Sequence, residues 1–559
     1  MSGIIECVPN FSEGRNMEII KAITDAITSV EGITLLDVDP GADTNRTVVT
    51  FVGDKSSIVE AAFRGIKKAS ELIDMRNHRG AHPRIGATDV CPLVPVSGVS
   101  LEECVELSHQ LAKRVAEELG IPVYLYEKSA QKPDRVKLEN IREGQYEGLP
   151  EKLKDPEWKP DYGEAKFNPR SGATVIGVRD FLIAYNVNLN TRDRKLAHDI
   201  ALTVRERGRL KRDKKGSIIR DENGNPLRQP GILKGVKAVG WYIDEYKLAQ
   251  VSMNITNYKV TPLHVAFEEV CKQAEKRGLR VTGSEIVGLV PKETLLMAGR
   301  YFLEKQGKCQ GVPEDEIIRV AIQTLGLNEV AEFDPDKKII EYRIKQETGK
   351  ELVNLRVKEF VNEVSTDSPA PGGGSVSALV GALASALSSM VANLTYGKKG
   401  YERHSRLMNE IAIKSQEIKD KLLSFVDRDT EAFNKVMDAM RLPKKTEEEK
   451  KERETAIQEA TKYAAEVPLS VMKTCVDLLD CIDGLIRYGN VNSISDAGVA
   501  GLMARACIKG AGYNVLINAG SIEDKKFVEK LRKEVEEIEA LAEKRVRAIL
   551  RKTEKKLIS

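Results

Sequence analysis

The sequence predicts a multidomain protein with two α/β parts followed by an all-α antiparallel helical bundle. Three observations predict this class. Residues 3–126 alternate between β-branched runs and helical spacing in the order β-α-β-β-α-β, with one further α-β unit. The same order begins again at Ala173, and from Val353 onward nearly every segment has helical spacing. A chain of 559 residues is long enough for several domains, each with its own core.

The first α/β part is predicted to be ferredoxin-like, the βαββαβ pattern also called a split βαβ fold. Its predicted strands are residues 3–9, 33–39, 46–52, 90–96 and 121–126, and its predicted helices are 16–30, 55–73 and 101–119. A loop with five prolines, residues 129–172, ends this part. We therefore set a first domain at 1–180.

The second α/β part is predicted to repeat the βαββαβ pattern, which suggests a duplication of architecture. Its predicted strands are 173–189, 238–243, 248–255 and 281–290, and its predicted helices are 192–207 and 262–277. A basic insert at 207–237 reads as a solvated hairpin or a mobile loop. One or two helices follow within 293–325, so we set this domain at 181–326 and a polar linker at 327–350.

The remaining residues, 351–559, are predicted to form the helical bundle, because short loops join helices that must then run antiparallel. The predicted helices are 353–364, 375–397, 403–441, 446–464, 467–489, 493–518 and 522–556. The apolar run Val376–Leu394 is rich in alanine and interrupted by serines. It therefore favours a helix packed closely on its neighbours over a membrane span.

Composition narrows the kinds of function and location that the protein can have. The net charge is +3, which gives no overall argument for nucleic-acid binding. The 8 cysteines contain no CxxC pair, and they form no zinc-like spacing with the 6 histidines. Reduced core thiols, a cytoplasmic location and no metal site are expected. No signal peptide is expected, because an acidic residue, Glu6, follows Met1 closely.

The glycine-rich stretch at the entrance of the bundle is a candidate anion site. Gly372, Gly373, Gly374 and Ser375 open a predicted helix, where unpaired backbone N–H groups and the helix dipole converge. No Gly-Lys-Ser/Thr follows, and no strand precedes the glycines. Nucleotide phosphate and NAD are therefore poor candidates for the anion.

Two further candidates lie in loops of the first α/β part. The loop from His78 to Asp89 holds His82 and Arg84, and a loop histidine beside charged groups suits proton transfer. A surface or turn-stabilising histidine explains the same spacing. Asp39 and Arg46 flank a strand-to-strand turn that could bind a polar substrate, although local turn chemistry explains it equally well.

Three more stretches are polar enough to line a site. The segment Gly163–Gly172 carries an aromatic ring, a lysine and an arginine, which suits a flat ring with carboxylates but also an ordinary linker. Asp427 and Asp429 lie two apart in a helix, so only one of them need face the interior. Asn490 lies in a polar break between helices, as a cap or a pocket wall.

These residues carry a resemblance to a known family. Ile5-Glu-Cys-Val-Pro-Asn-Phe-Ser-Glu-Gly, Thr44-Asn-Arg-Thr-Val, His82-Pro-Arg and Thr88-Asp-Val-Cys-Pro resemble glutamate formimidoyltransferase. Ala370-Pro-Gly-Gly-Gly-Ser-Val, Arg441-Leu-Pro-Lys and Tyr513-Asn-Val-Leu-Ile-Asn resemble formimidoyltetrahydrofolate cyclodeaminase. Their order resembles the bifunctional fusion of the two enzymes over nearly the whole chain.

The resemblance implies two folate reactions of histidine degradation. The formimidoyl group of N-formimidoyl-L-glutamate passes to N5 of tetrahydrofolate, with His82 as the catalytic histidine. The implied folate segment is Gly163, Glu164, Ala165, Lys166, Phe167, Asn168, Pro169, Arg170, Ser171 and Gly172. We add Asp39, Arg46 and Arg84 as candidate substrate or proton-relay groups.

The second implied reaction closes 5-formimidoyltetrahydrofolate to 5,10-methenyltetrahydrofolate and releases ammonia, with Asp429 as the active-site aspartate. Gly372–Ser375 and Asn490 are expected to bind folate there. Tetrahydrofolate acts as a co-substrate, and we expect a cytoplasmic homo-oligomer, either a dimer or a ring of dimers, without nucleic acid or membrane. Two alternatives for the bundle stay open: a methenyltetrahydrofolate cyclohydrolase, or a non-catalytic module for folate binding and oligomerisation.

Overall fold

The structure is a computed structural model that describes residues 3–42, 44–80, 82–347 and 351–558. The chain divides into two compact units. The α/β unit comprises Met1–Thr294 and Leu325–Thr348, and the helical unit comprises Leu295–Thr324 and Gly349–Ser559. The prediction of an α/β region followed by a largely helical region is confirmed.

The first half of the α/β unit is built on a seven-stranded sheet. Its elements are β1 (Ile4–Cys7), β2 (Asn10–Phe11), α1 (Met17–Thr28), β3 (Thr34–Gly41), β4 (Arg46–Gly53), α2 (Ile58–Leu72), β5 (Thr88–Ser97), α3 (Leu101–Leu119), β6 (Val123–Glu127), α4 (Leu138–Arg142), α5 (Gln145–Lys152) and β7 (Thr174–Val178). The spatial order is β3-β4-(β1, β2)-β5-β7-β6. Pairing is antiparallel as far as β5 and parallel from β5 through β7 to β6.

One face of this sheet is covered by apolar residues of the first three helices. Ile5 and Cys7 of β1 pack there with Ile23 of α1 and Ile66 of α2, and all four are almost completely buried. Because side chains alternate along a strand, Glu6 points to the opposite face. That opposite face carries an apolar cluster that includes Val90, Tyr124 and Val175, and beside it the polar groups described below; we refer to it as the polar face.

The second half of the α/β unit contains a four-stranded antiparallel sheet with the order β11-β12-β8-β13. Its elements are β8 (Ile183–Leu189), α6 (Arg194–Val204), β9 (Arg209–Leu210), β10 (Arg228–Gln229), β11 (Val236–Ile243), β12 (Leu248–Ile255), α7 (Leu263–Glu275) and β13 (Val281–Val287). The basic insert is a hairpin, in which β9 pairs with β10.

Four helices follow: α8 (Lys292–Lys305), α9 (Glu314–Leu325), α10 (Pro335–Lys338) and α11 (Ile340–Glu347). Residues 295–324, which the sequence analysis assigned to the second α/β domain, cluster with the helical unit. The expected linker at 327–350 is helical over much of its described length, and residues 348–350 lie outside the described part of the chain.

The helical unit contains six further helices: α12 (Val357–Val364), α13 (Gly373–Thr395), α14 (Ser405–Arg441), α15 (Glu447–Tyr488), α16 (Ile494–Ala519) and α17 (Lys525–Ile558). Helix α13 packs between α14 and α16. Its length and composition would suffice to cross a membrane, yet 61% of its most apolar window is buried inside the bundle.

The sequence prediction of separate helices at 446–464 and 467–489 is wrong, because α15 runs without a break over 42 residues. Pro468 lies inside this helix and has no N–H, so it cannot donate to the carbonyl of Ala464. The side-chain amide of Asn518 on α16 donates to that carbonyl at 2.9 Å. A tertiary hydrogen bond thus replaces the missing helical one.

Candidate active sites

A basic cleft of about 740 Å³ lies on the polar face of the first sheet. Asn10, Arg46, Tyr126 and Arg142 line it from the first half of the α/β unit. Leu182, Lys237, Thr256 and Asn257 line it from the second half. Its excess of arginine and lysine suits a ligand that carries carboxylates.

Arg46 connects this cleft to His82. Its Nη1 donates to Oδ1 of Asn10 at 2.6 Å and lies 3.2 Å from Nε2 of His82. The structure therefore brings two predicted site residues together, and it adds Asn10, which sequence reasoning did not single out. Asn10 lies directly after the first strand, within a motif that carried the family resemblance, but no role was assigned to it.

The surroundings of His82 favour its neutral form. Partial burial lowers the pKa of this imidazole, and the positive charges of Arg46 and Arg142 lower it further. A neutral imidazole at pH 7 can accept a proton, which a general base must do. The electrostatics therefore suit His82 for the proton-transfer task that the sequence suggested.

Arg142 is the second group that sequence reasoning missed. It forms an ion pair with Asp89, whose carboxylate is fully buried and also accepts the backbone N–H of Ile85 at 3.0 Å. Arg142 lies on α4, far along the chain from the histidine loop, and no local pattern marked it. The pair fixes a positive charge in the cleft wall.

Asp39 and Arg84 have different surroundings from those expected. Asp39 is exposed on β3, near enough to Arg46 for its charge to raise the pKa of that guanidinium, which burial lowers overall. Arg84 is buried and fully engaged: it binds both oxygens of Glu147 at 2.7 and 2.8 Å and donates to His78 at 3.1 Å. Arg84 thus supports the loop and does not line the cleft.

The segment 163–172 packs beside the histidine loop and is absent from the lining of the cleft. Phe167 packs on Tyr146 with ring centroids 5.5 Å apart, and the carbonyl of Ser171 accepts the N–H of Ala87 at 2.8 Å. Gly172 has a positive φ, and a Cβ there would overlap the carbonyl of Ile85. The more exposed residues of this segment are Gly163, Glu164, Ala165, Lys166, Pro169 and Arg170.

In the helical unit, the anion at the glycine-rich turn is the carboxylate of Asp429. Oδ2 of Asp429 accepts the backbone N–H of Ser375 at 2.9 Å and lies 3.3 Å from its hydroxyl. A Cβ on Gly374 would overlap this carboxylate, so the close approach needs glycine. The structure therefore joins the glycine-rich turn and the predicted aspartate in one site.

Asp429 is largely buried, and burial raises the pKa of its carboxyl although the hydrogen bonds from Ser375 oppose this effect. A raised pKa keeps more of the carboxyl protonated near neutral pH, which is what a proton donor requires. A cleft of about 560 Å³ lies alongside, lined by Ser368, Pro369, Thr430, Phe433 and Arg441 among others.

Asn490 lies at the opposite end of α13 from this site. Its backbone N–H donates to Oγ1 of Thr395 at 2.9 Å, in the last turn of α13. Ser375 lies in the first turn, so the two ends are about 30 Å apart at a rise of about 1.5 Å per residue. Within one chain, the two predicted folate-binding elements, Gly372–Ser375 and Asn490, therefore lie at opposite ends of α13.

Among the side chains that the structure describes, no group of three or more His, Cys, Asp or Glu residues is arranged to hold a metal ion. The two units thus offer different chemistry. One has a basic cleft beside a histidine whose pKa is lowered, and the other has a largely buried carboxyl whose pKa is raised, at a helix N-terminus. This combination indicates an enzyme with two candidate active sites on one chain.

Known proteins with the same organisation are similar in sequence. The family model "Formiminotransferase domain, N-terminal subdomain" matches residues 4–179, "Formiminotransferase domain" matches 184–345, and "Formiminotransferase-cyclodeaminase" matches 356–537. The chain is 45% identical over 534 residues to formimidoyltransferase-cyclodeaminase of Rattus norvegicus, which covers 95% of each chain. The chain therefore belongs to the formimidoyltransferase-cyclodeaminase family.

Two relatives correspond to parts of the chain. Glutamate formimidoyltransferase of Streptococcus pyogenes serotype M1 is 44% identical over 304 residues, covering 54% of this chain and 94% of that protein. Methenyltetrahydrofolate cyclohydrolase of Methylorubrum extorquens is 41% identical over 183 residues, covering 33% of this chain and 88% of that protein.

Proposed function

We propose that the chain transfers the formimidoyl group of N-formimidoyl-L-glutamate to N5 of tetrahydrofolate, and then converts the product to 5,10-methenyltetrahydrofolate and ammonia. The observation that carries this proposal is the presence of two separate proton-transfer sites, His82 with Arg46 and Asp429 with Ser375. The near full-length relative named formimidoyltransferase-cyclodeaminase supports it.

In the first reaction, N5 attacks the formimidoyl carbon, a new N–C bond forms, and the bond from that carbon to the glutamate nitrogen breaks. His82 accepts the proton that N5 loses and returns it to the departing amine, so that the imidazole is neutral again. Arg46 and the remaining Nη1 group of Arg142 suit the carboxylates of the donor, because guanidinium N–H groups form strong charge-assisted hydrogen bonds with carboxylates. Segment 163–172 is proposed to bind folate, and its backbone bond from Ala87 N–H to the carbonyl of Ser171 supports the loop that carries His82.

In the second reaction, N10 attacks the same carbon and closes a five-membered ring, and the proton that N10 loses passes to the formimidoyl nitrogen. Asp429 delivers the further proton with which this nitrogen leaves as ammonia, and the positive charge stays on the methenyl group. Holding N10 close to the carbon supplies part of the rate, because the reaction is intramolecular. Tetrahydrofolate is thus a co-substrate, and both steps belong to histidine degradation.

A second function for the helical unit is methenyltetrahydrofolate hydrolysis, which the relative of that name favours. Purified full-length protein, supplied with formimidoylglutamate and tetrahydrofolate, separates the candidates. We expect methenyl absorbance and ammonia to appear together in equal amounts. Consumption of formimidoylglutamate without ammonia, together with hydrolysis of added 5,10-methenyltetrahydrofolate, would favour the cyclohydrolase. Unchanged substrates would contradict both proposals.

We also propose that the protein is a cytoplasmic homo-oligomer, either a dimer or a ring of dimers. An apolar stripe on α13 supports self-association, and its members recur every three or four residues: Val376, Val380, Leu383, Leu387, Met390 and Leu394. Leu383 and Leu394 are 48% and 52% exposed. The adjacent α16 adds Tyr513 and Ile517, which are 61% and 75% exposed. An apolar surface of this extent on a single chain is typical of a protein–protein interface.

Antiparallel pairing of α13 with its copy would bring the end that carries Asn490 alongside the glycine-rich turn of the other subunit. We expect the double variant Leu383→Lys, Leu394→Lys to dissociate and to lose deaminase activity, while transferase activity persists. Light scattering coupled to size exclusion measures the mass. Leu541→Lys, an equally exposed leucine on α17 at 46%, is the matched control. An unchanged mass in the double variant would refute the proposed interface.

We further propose that both halves of the α/β unit are ferredoxin-like and arose by duplication, with domains at 1–180 and 181–326, a linker at 327–350 and the bundle at 351–559. The strand orders support a shared plan. The spatial order is β3-β4-β1-β5 in the first sheet and β11-β12-β8-β13 in the second. Corresponding strands of the βαββαβ unit therefore occupy the same positions in both sheets.

A further inference from the structure

A buried carboxyl on the polar face of the first sheet has no task in the mechanism above. Glu6 is only 4% exposed, and burial raises its pKa to about 7 even though the charge of Arg179 acts in the opposite direction. Among the described residues, no side chain or backbone N–H forms a hydrogen bond or ion pair with this carboxyl. A buried acid without a partner is costly for folding, so this carboxyl is available to a ligand that can donate hydrogen bonds to it.

Strand geometry places Glu6 next to the cleft. The backbone N–H of Val8 donates to the carbonyl of Pro92 at 3.2 Å, and both residues line the cleft. Glu6 pairs with Val94, one pleat further along the same two strands, or about 7 Å from Val8. Arg179, whose charge acts on Glu6, also lines the cleft. Glu6 therefore lies directly beyond one end of the cleft lining.

The reacting groups lie at the other end of the extended segment that runs from Glu6 to Asn10. Asn10 lies four residues after Glu6, or roughly 13 Å along an extended chain, and it contacts Arg46 beside His82. A ligand whose reacting nitrogen meets His82 would thus direct a more distant part of its ring system toward Glu6.

We propose that Glu6 binds the 2-amino-pyrimidinone edge of the pterin ring of tetrahydrofolate, and this inference rests on the proposed transferase function. That edge presents two parallel donors, N3–H and the 2-amino group, to which the two oxygens of one carboxylate are complementary. N5 lies on the other ring of the pterin, so binding at Glu6 directs N5 toward His82. The formimidoyl group of the donor offers a similar pair of N–H donors, but its carbon must lie beside His82, at the other end of the segment.

Glu6→Gln tests this assignment with almost no change of shape. An amide offers one acceptor and one donor, so it meets the two pterin donors with one mismatch. We expect the KM for tetrahydrofolate to rise at least tenfold, and the KM for formimidoylglutamate to change less than twofold. Asp37→Asn, the same chemical change at an exposed position on β3, is the matched control and should leave both constants unchanged.

An altered ligand separates recognition from a structural effect. The wild-type protein should bind 2-desamino-2-methyltetrahydrofolate at least tenfold more weakly than tetrahydrofolate. The affinities of the Glu6→Gln protein for the two folates should differ less than threefold, because the variant already lacks the contact that the altered ligand removes. If the variant keeps the wild-type ratio, or if its KM for tetrahydrofolate stays within twofold of wild type, the assignment is wrong.

Two further readouts complete the test. A rise in the KM for formimidoylglutamate alone would assign Glu6 to the formimidoyl group and overturn the pterin assignment. Equilibrium binding of the two folates to the full-length wild-type protein needs neither turnover nor a variant, and equal affinities would also overturn it. Absence of turnover together with tenfold discrimination in binding would count against the proposed function and leave the pterin site standing.

Discussion

Replacing Asp429 with asparagine should abolish most deaminase activity and leave the transferase intact. The expected loss in kcat is about 100- to 10,000-fold, which is the usual contribution of a general acid or base. Asparagine keeps an oxygen that can accept the N–H of Ser375, so the cap of α13 survives. It cannot donate a proton to the departing ammonia as a carboxylic acid does.

The pH dependence gives a second signature of the same residue. Burial raises the pKa of the Asp429 carboxyl, so its protonated form is lost only as the pH rises through that raised value. Wild-type deamination should decline along this limb, and the slow residual reaction of the variant should not. For the same reason, the folded wild-type protein becomes less stable as the pH rises and the buried carboxyl ionises. The unfolding temperature of Asp429→Asn should lack this pH dependence.

Asp427→Asn is the matched control on the same helix. The carboxylate of Asp427 accepts the backbone N–H of Leu352, and burial raises its pKa as well. It is therefore a similar acid two residues away that does not face the glycine-rich turn. We expect it to retain deaminase activity. Equal losses in both variants would show that charge on α14, and not proton delivery by Asp429, controls the reaction.

Replacing His82 with glutamine should give the reciprocal result. We expect transferase kcat to fall about 100- to 10,000-fold, because an amide cannot shuttle a proton between N5 and the leaving amine. Glutamine can still accept a hydrogen bond from Arg46, which limits the structural disturbance. Deamination of purified 5-formimidoyltetrahydrofolate should be unchanged, which serves as the internal test of folding. Unchanged transfer would remove His82 from the mechanism.

When transferase kcat/KM is plotted against pH, the fall in activity on the acid side should occur below the ordinary pKa of histidine. Burial and the charges of Arg46 and Arg142 lower the pKa of His82, so the neutral form persists to lower pH than in a free imidazole, with its pKa of about 6.5. If kcat/KM already falls at a pH above about 6.5 as the pH is lowered, this expectation is contradicted. Stability linked to His82 should be present at neutral pH and decrease as the pH falls through the unfolded-state pKa.

The alternation of elements and the existence of the two sites could be predicted from the sequence. Periodicity is local, so the β-branched runs of the first sheet and the helical spacing of the bundle were readable without tertiary information. The family resemblance identified His82 and Asp429 as catalytic candidates. Local context alone marked His82 as a loop histidine suited to proton transfer and the three glycines as a place of close backbone approach.

Tertiary contacts decided what each residue does. The partner of the glycine-rich turn is a carboxylate about fifty residues away, and the missing helical bond at Pro468 is replaced from α16. Arg84 resembled a substrate group in the sequence, but in the fold it binds Glu147. Arg142 had no local signal, and Glu6 lay in a family motif without an assigned role, because their surroundings come from strands and helices distant in the chain.

The sequence by itself thus determined the order of elements and the division into an α/β and a helical part, and its resemblance to a family nominated His82 and Asp429 for proton transfer. Only the tertiary structure decided that Asp429 meets Ser375, that Arg46 links Asn10 to His82, and that Asn490 lies at the far end of α13. The physical reason is that helical and strand periodicity depends on near neighbours, whereas burial, charge pairing and pKa depend on groups that folding brings together.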